Sequence, residues 1–280
     1  MVQSIMIQGT ASGVGKTILT TALCRIFKQD GLRVAPFKSQ NITANTIRLA
    51  CGGEMAISQV LQAQAAGVMP TVDMNPIVMN PNDHSMELIL NGVSQGSMIE
   101  KSDGDLKQKL MDEALAAYHR LAVENDVIVI EGAGSPVELN LTADGDDIVN
   151  MGLAEQVDSP VLLVSDIDRG GLFAHLYGTM QLLTKVERAR VKGLIVNRFY
   201  GGKDRFAEGV HILERITERP VIGIVPHMVF ELPEEDALYQ ESVTFTLDKH
   251  FETQFDRIAD TVREVLDMKR VYDILNDSKG

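Results

Sequence analysis

The residues best suited to chemistry by type and spacing form one run, Gly9-Thr10-Ala11-Ser12-Gly13-Val14-Gly15-Lys16-Thr17. Glycines let backbone N–H groups close around phosphate oxygens, and a helix starting there adds its positive end. In such a loop Lys16 would reach the β- and γ-phosphates of ATP, and the Thr17 hydroxyl would face Mg²⁺. One departure stands out. Thr10 occupies the position where the usual pattern has its first glycine, and Gly9 comes one residue early. Gly9, Thr10, Gly13, Val14, Gly15, Lys16, Thr17 and Ile18 are the nucleotide-binding candidates. The competing reading is an ordinary glycine-rich strand-to-helix turn. Gly15-Lys16-Thr17 and the flanking segments speak against it. Lys16 is expected to be solvent-accessible without nucleotide.

Other candidates sit where short apolar runs end. Lys38 follows Arg33 to Phe37, at the carboxyl end where open parallel sheets place ligands. It would meet a substrate carboxylate or a transferring phosphoryl group; the alternative is a solvated strand-end lysine. Glu131 ends the run Asp126 to Ile130, a position from which an acidic group faces Mg²⁺ or an attacking water. Ser39-Gln40-Asn41 and Asn45 place polar side chains near the same crevice. The six histidines show no metal-ligand spacing.

These residues need a scaffold. Ile5 to Ile7 reads as a strand and Ile18 to Phe27 as a helix ended by Asp30-Gly31. The runs Asp126 to Ile130, Val161 to Val164, Val191 to Val196 and Pro220 to Val225 suit buried parallel strands, each preceded by a helical segment. The alternation predicts an α/β fold of the P-loop NTPase type, a doubly wound, mostly parallel sheet with helices on both faces. Gly52-Gly53-Glu54 is expected to open a helix reaching Ala66. Val72 to Pro76 reads as a loop, since Pro76 pushes Asn75 out of helical geometry. Asn91-Gly92 between Met86 to Leu90 and Val93 to Ile99 predicts a β-hairpin excursion from the sheet. Asp105 to Val123 is strongly helical. From His250 on, Phe251, Phe255, Ile258, Val262, Val265 and Leu266 recur at the spacing of one amphipathic helix. The expected division is 1–229 as the nucleotide-binding unit and 230–280 as linker and C-terminal helix, with Phe230 to Leu247 the acidic linker.

Bulk properties narrow the partners. The 280 residues allow one large α/β domain, and 45% hydrophobic residues supply its core. A net charge of -13 argues against a general nucleic-acid surface. No apolar run approaches a membrane span, and no signal peptide is visible. Two cysteines, Cys24 and Cys51, make no disulfide framework, so a reducing cytoplasm is expected.

Taken together, the sequence resembles the cobyric acid synthase family, the glutamine-dependent amidases of cobalamin biosynthesis, and more broadly the amidotransferase and dethiobiotin synthetase branch of P-loop proteins. The resemblance rests on Gly9 to Thr17, Ala35-Pro36-Phe37-Lys38 with Gln40-Asn41, Gly52-Gly53-Glu54 and Val72-Asp73-Met74-Asn75-Pro76. It continues through Glu131-Gly132-Ala133-Gly134-Ser135-Pro136, Asn150-Met151-Gly152, Asp166-Ile167-Asp168-Arg169-Gly170-Gly171 and Asn197-Arg198-Phe199.

The resemblance implies amidation of a corrinoid substrate, adenosylcobyrinic acid a,c-diamide, through an acyl phosphate made from ATP. It implies Lys16, Lys38, Glu131 and Asp147 as catalytic residues, and Thr17, Glu54 and Glu131 around Mg²⁺. Asn197 and Arg198 would meet adenine, while Gln40, Asn41, Asn45, Asp73, Asn75, Asp168 and Arg169 would meet the corrinoid. For the amide and acidic residues among these, plain loop roles are the alternative, and Glu54 could be a first-turn helix carboxylate. The family carries a second, glutaminase domain with a Cys-His-Glu triad. Neither cysteine here has the small-residue elbow of such a nucleophile, so ammonia is expected from a glutaminase domain or subunit outside this stretch. A homodimer is left open. Two other classes compete: a dethiobiotin synthetase or a,c-diamide synthase, and a partitioning-type switch ATPase, which usually carries a lysine near Ala11.

Overall fold

The computed structural model describes residues 2–50, 52–81, 86–97, 106–137, 147–230, 232 and 249–277. Six strands form its central sheet: β1 (Gln3–Gly9), β2 (Val34–Phe37), β9 (Val127–Glu131), β10 (Val161–Asp166), β11 (Val191–Phe199) and β12 (Val221–Pro226). All pair in parallel, in the order β12-β11-β10-β1-β9-β2. The chain builds outward from β1 first to one side and then to the other. β1 therefore marks the point where strand order reverses, and ligands of such sheets bind beyond the carboxyl ends there.

Burial on both faces explains the near-continuous apolar strands. Ile5, Ile7, Val129 and Val164 pack with Leu19, Leu23, Ile26 and Phe27 of α1 (Lys16–Gln29). Met6, Ile128, Ile130 and Leu163 face the opposite way. They meet Leu110, Ala114 and Tyr118 of α3 (Leu106–Glu124), Met151 of α4 (Met151–Gln156) and Leu176 of α5 (Leu172–Leu182). α6 (Lys185–Arg190) opens with a capping box between Thr184 and Glu187, and α7 (Ala207–Thr217) precedes β12.

Three expectations change. Glu54 does not open a helix. It begins β5 (Glu54–Ala56), antiparallel to β4 (Thr46–Arg48), and α2 (Ile57–Ala66) starts only after it. The Glu54 amide donates to the Gly92 carbonyl at 3.0 Å, across to another segment, so it is not a first-turn helix donor. The hairpin is real but is no mere excursion. β7 (Met86–Leu90) and β8 (Val93–Ser97) join β6 (Ile77–Pro81) and β3 (Gln40–Ile42) in a second sheet of four strands. Its turn needs Asn91 and Gly92 at φ 50° and 77°, the left-handed pair that an Asn-Gly turn supplies.

The third change is at the C-terminus, where two helices replace one: α8 (Lys249–Val265) and α9 (Met268–Asp277). Phe255, Ile258, Val262 and Leu266 are buried, as their spacing required. Both helices lie against the nucleotide-binding unit. Arg25 of α1 pairs with Glu252 at 2.8 Å and Asp256 at 2.7 Å, and Arg263 pairs with Asp30 at 2.9 Å. Gln3 donates to the Leu275 carbonyl at 3.1 Å, and Leu266 bridges to Gly223 of β12. Most of the expected linker, Phe230 to Leu247, lies outside the described residues.

One exposed pair fastens the amino ends of β2 and β9. The Arg33 guanidinium and backbone amide hold the Asp126 carboxyl at about 2, below its ordinary value. A depressed carboxylate stabilises the fold above its unfolded value and loses that contribution as pH falls through the folded one. Asp126→Asn should therefore flatten the fall in urea midpoint between pH 3.8 and about 2 and change it little near pH 7. A variant curve parallel to the wild type across that window would exclude this role.

Candidate functional site

The parallel register delivers the chemistry to one edge. Ile7 stands beside Glu131, Phe37 beside Ile130 and Gly9 beside Val164. The loop leaving Gly9, the residue after Phe37 and the end of β9 thus converge. In that loop Gly13 and Gly15 adopt φ 72° and 103°, open to glycine and strained for other residues. A Cβ on Gly15 would lie 2.0 Å from Asn197 Nδ2, and one on Gly9 2.5 Å from Val14 Cγ2. The early glycine is thus required by packing of the loop on itself.

Lys16 is only 6% exposed, contrary to the expectation of an accessible side chain. Its Nζ donates to the carbonyls of Ala11 and Gly134, each at 3.0 Å. The ammonium folds across the loop because those carbonyls offer it partners there.

Glu131 is the centre of the cluster. Its Oε1 accepts from Thr17 Oγ1 at 2.9 Å and from Lys38 Nζ at 3.0 Å, and its Oε2 accepts from Gln62 Nε2. Glu131 is 1% and Lys38 4% exposed, which excludes the solvated-lysine alternative. A buried pair of this kind is held against a desolvation cost of several kcal/mol per ion, so neither partner is dispensable to the other. The donor set is a hydroxyl and a carboxylate beside a phosphate-shaped loop. Hard oxygen donors with room for phosphate oxygens and water suit Mg²⁺, which rarely takes an all-protein cage. Among the described residues no three histidine, cysteine or acidic side chains form a metal cluster. Glu54 is not bonded to this carboxylate; it accepts from Thr46 within the β4–β5 ladder.

On the other side of the loop lies a cleft of about 320 Å³. Gly15, Ile18, Asp168, Asn197 and Arg198 line one wall, and the run from Pro226 to Phe230 the other. Asn197 donates to the Val14 carbonyl at 2.8 Å, and Arg198 pairs with Asp166 at 2.7 Å. Asp168 therefore stands with the nucleotide candidates, and Arg169 beside it is exposed. The sequence reading missed Pro226 to Phe230. Their signal was present: Pro226-His227 ends the last parallel strand, at the same edge as Lys38 and Glu131.

The amide-rich blocks mostly turn inward. Asn75 donates to the carbonyls of Lys38 at 2.9 Å and Ile77 at 3.3 Å, and accepts from the Ala56 amide. Asn41 donates to Gln59 at 3.0 Å and Ser58 at 3.2 Å. The Asn45 carbonyl receives the first amide of α2, from Ile57. Gln40 is half-buried in β3 beside Ile77. Asp73 pairs with Arg120 of α3 at 2.7 Å. Asp147 accepts from the amides of Val149, Asn150 and Gly152, so its carboxylate caps the approach to α4. The Asn75 and Asp147 side chains thus satisfy backbone groups that irregular connections would otherwise bury unpaired. Cys24 lies wholly inside α1, where burial and the nearby Glu131 charge push its thiol up, so it is no nucleophile. Cys51 lies outside the described residues.

The chain is 49% identical over 249 residues to the cobyric acid synthase of Listeria innocua serovar 6a, covering 89% of this chain and 48% of that protein. It is 50% identical over 239 residues to the cobyric acid synthase of Salmonella arizonae, covering 85% of this chain and 47% of that one. The chain thus spans about half the length of the curated relatives it matches. A superposition on the MinD cell division protein of Aquifex aeolicus gives a TM-score of 0.43 at 15% identity, over 81% of this chain and 83% of that one. No helix among the described residues is long and apolar enough to cross a membrane. Residues 5–238 match the CobQ/CobB/MinD/ParA nucleotide binding domain, and the chain belongs to that family.

Proposed function

We propose that this chain activates side-chain carboxylates of adenosylcobyrinic acid a,c-diamide with ATP and joins them to ammonia, leading to cobyric acid. The observation that carries the reading is the buried carboxylate of Glu131, bonded to Thr17 of the phosphate loop and to Lys38 at the end of a neighbouring strand. The shared name of the relatives, of which this chain spans about half, supports the substrate class.

A carboxylate does not react with ammonia near pH 7, because oxide is a poor leaving group. In the proposed path the substrate carboxylate attacks the γ-phosphorus of ATP, and ADP leaves. Ammonia then adds to the carbonyl of the acyl phosphate, and phosphate leaves with the C–O bond electrons. Lys16 turns from the Ala11 and Gly134 carbonyls to the phosphate oxygens, so a positive charge already held in the loop meets the charge of the phosphate. Thr17 and Glu131 would hold Mg²⁺, which when bound offsets the charge of the phosphate oxygens. Lys38, now paired with Glu131, would hold the incoming carboxylate. Adenine would enter the cleft that Asn197 and Pro226 line. Asp168 and Arg169 stand at the rim, and Asp147 acts through the α4 approach it caps. Ammonia comes from a glutaminase domain or subunit other than the residues described.

The test supplies the purified chain with ATP, Mg²⁺ and the corrinoid diamide. High ammonium should support phosphate release and amide formation, while glutamine should yield no glutamate. Binding should also shift the corrinoid's visible spectrum. If diaminopelargonate stimulates ATP hydrolysis and the corrinoid does not, the substrate assignment fails and a dethiobiotin-type activity takes its place. ATP turnover indifferent to either carboxylate would instead favour a switch ATPase.

A further inference from the structure

Glu131 is held from three directions, and two of its partners belong to chemistry already argued. The third is Gln62, on the middle turn of α2 and fully buried. An ionised carboxylate only accepts hydrogen bonds, so the Gln62 amide must present its NH₂ to Oε2. That bond frees Oε1 for Thr17 and Lys38 and fixes the rotation of the carboxylate about its last torsion, which is otherwise broad. The Gln62 Oε1 is buried and has no hydrogen-bond partner among the described residues. A buried acceptor left unpaired costs free energy, so a purely structural glutamine would be expected to use both ends.

The helix that carries Gln62 is itself anchored to the lysine side of the site. Its entry, Ala56, donates to Asn75, which in turn holds the Lys38 carbonyl. The polar path from Lys38 through Asn75 and α2 back to Glu131 therefore closes on itself.

We propose that Gln62 is a positioning residue for the carboxylate that would hold the metal: its amide fixes Glu131 in the orientation that meets Thr17. This rests on the reading of Thr17 and Glu131 as the Mg²⁺ pair. Partners that orient a metal ligand typically cost 10- to 100-fold in metal affinity or activity when lost.

The experiment measures Mn²⁺ binding directly by electron paramagnetic resonance, with the protein saturated in the non-hydrolysable ATP analogue AMP-PNP, for the wild type, Gln62→Met and Gln62→Asn. Methionine keeps the volume and removes the donor; asparagine keeps the amide but withdraws it by one methylene. Mn²⁺ affinity is expected to fall about 10-fold or more in Gln62→Met and measurably in Gln62→Asn. Analogue affinity measured without metal should stay unchanged. Should Gln62→Met not fold, Gln62→Asn decides alone. Wild-type Mn²⁺ affinity in a folded variant overturns the proposal for Gln62. Absence of Mn²⁺ binding in the wild type would instead overturn the metal pair on which it rests.

Discussion

Lys16→Ala is expected to abolish ATP turnover, lowering kcat on the order of 1,000-fold. The lysine stands in the glycine-rich loop as a cation that can cancel phosphate charge, and its bonds to the Ala11 and Gly134 carbonyls hold it across that loop. Because the side chain is buried, the variant also loses packing and two charged hydrogen bonds. A stability loss of about 1–3 kcal/mol follows. Circular dichroism should show an intact fold and calorimetry a modest drop in melting temperature. Turnover at the wild-type level in this variant would sink the loop assignment.

The second large effect concerns Lys38 and Glu131. Lys38→Ala strips a buried carboxylate of its counter-charge, and breaking such a pair costs about 3–5 kcal/mol. Turnover should fall far more than ATP affinity, since the proposed contact of Lys38 is with the second substrate. Stability and catalysis can be separated. In Lys38→Met combined with Glu131→Gln, both charges of this pair are removed together, so part of the lost stability should return while turnover stays absent. Recovery of both together would show that the pair holds the fold and takes no part in the reaction.

How far the sequence shows all this depends on what kind of contact makes each part. Buried parallel strands declare themselves as short apolar runs, so β1, β9, β10, β11 and β12 were legible, and with them the edge where Lys38 and Glu131 lie. Gly15-Lys16-Thr17 was legible because its function needs fixed spacing along the chain. The strands β3, β4 and β5 were not, since three residues each carry no period. Glu54 was misplaced for that reason. Gln62 reaches Glu131 across 69 residues, a pairing that no local pattern announces. The amides of Asn41 and Asn75 are equally ambiguous in one dimension: the same side chain lines a cleft or braces a backbone, and only packing decides. Lys16 hid its burial because a lysine's exposure depends on whether carbonyls curl within its reach.

The central position of β1 has a consequence for synthesis. Its neighbours are β9 and β10, which begin at Val127 and Val161, and Gln3 is tied to Leu275 in α9. As the ribosome makes this chain, the first strand has nothing to pair with until more than a hundred further residues have emerged. Local pieces can order first; the Asn91-Gly92 hairpin belongs to a class that closes in about 1–10 μs. The phosphate loop follows β1 directly, yet it takes its shape only when Val164, Gly134 and Asn197 arrive to meet it. Such distant pairing slows folding and leaves Ile5 to Ile7 bare in the interval. β1 is thus made before the strands that complete it, and nucleotide can serve as a ligand only once Gly134, Val164 and Asn197 are in place around the loop.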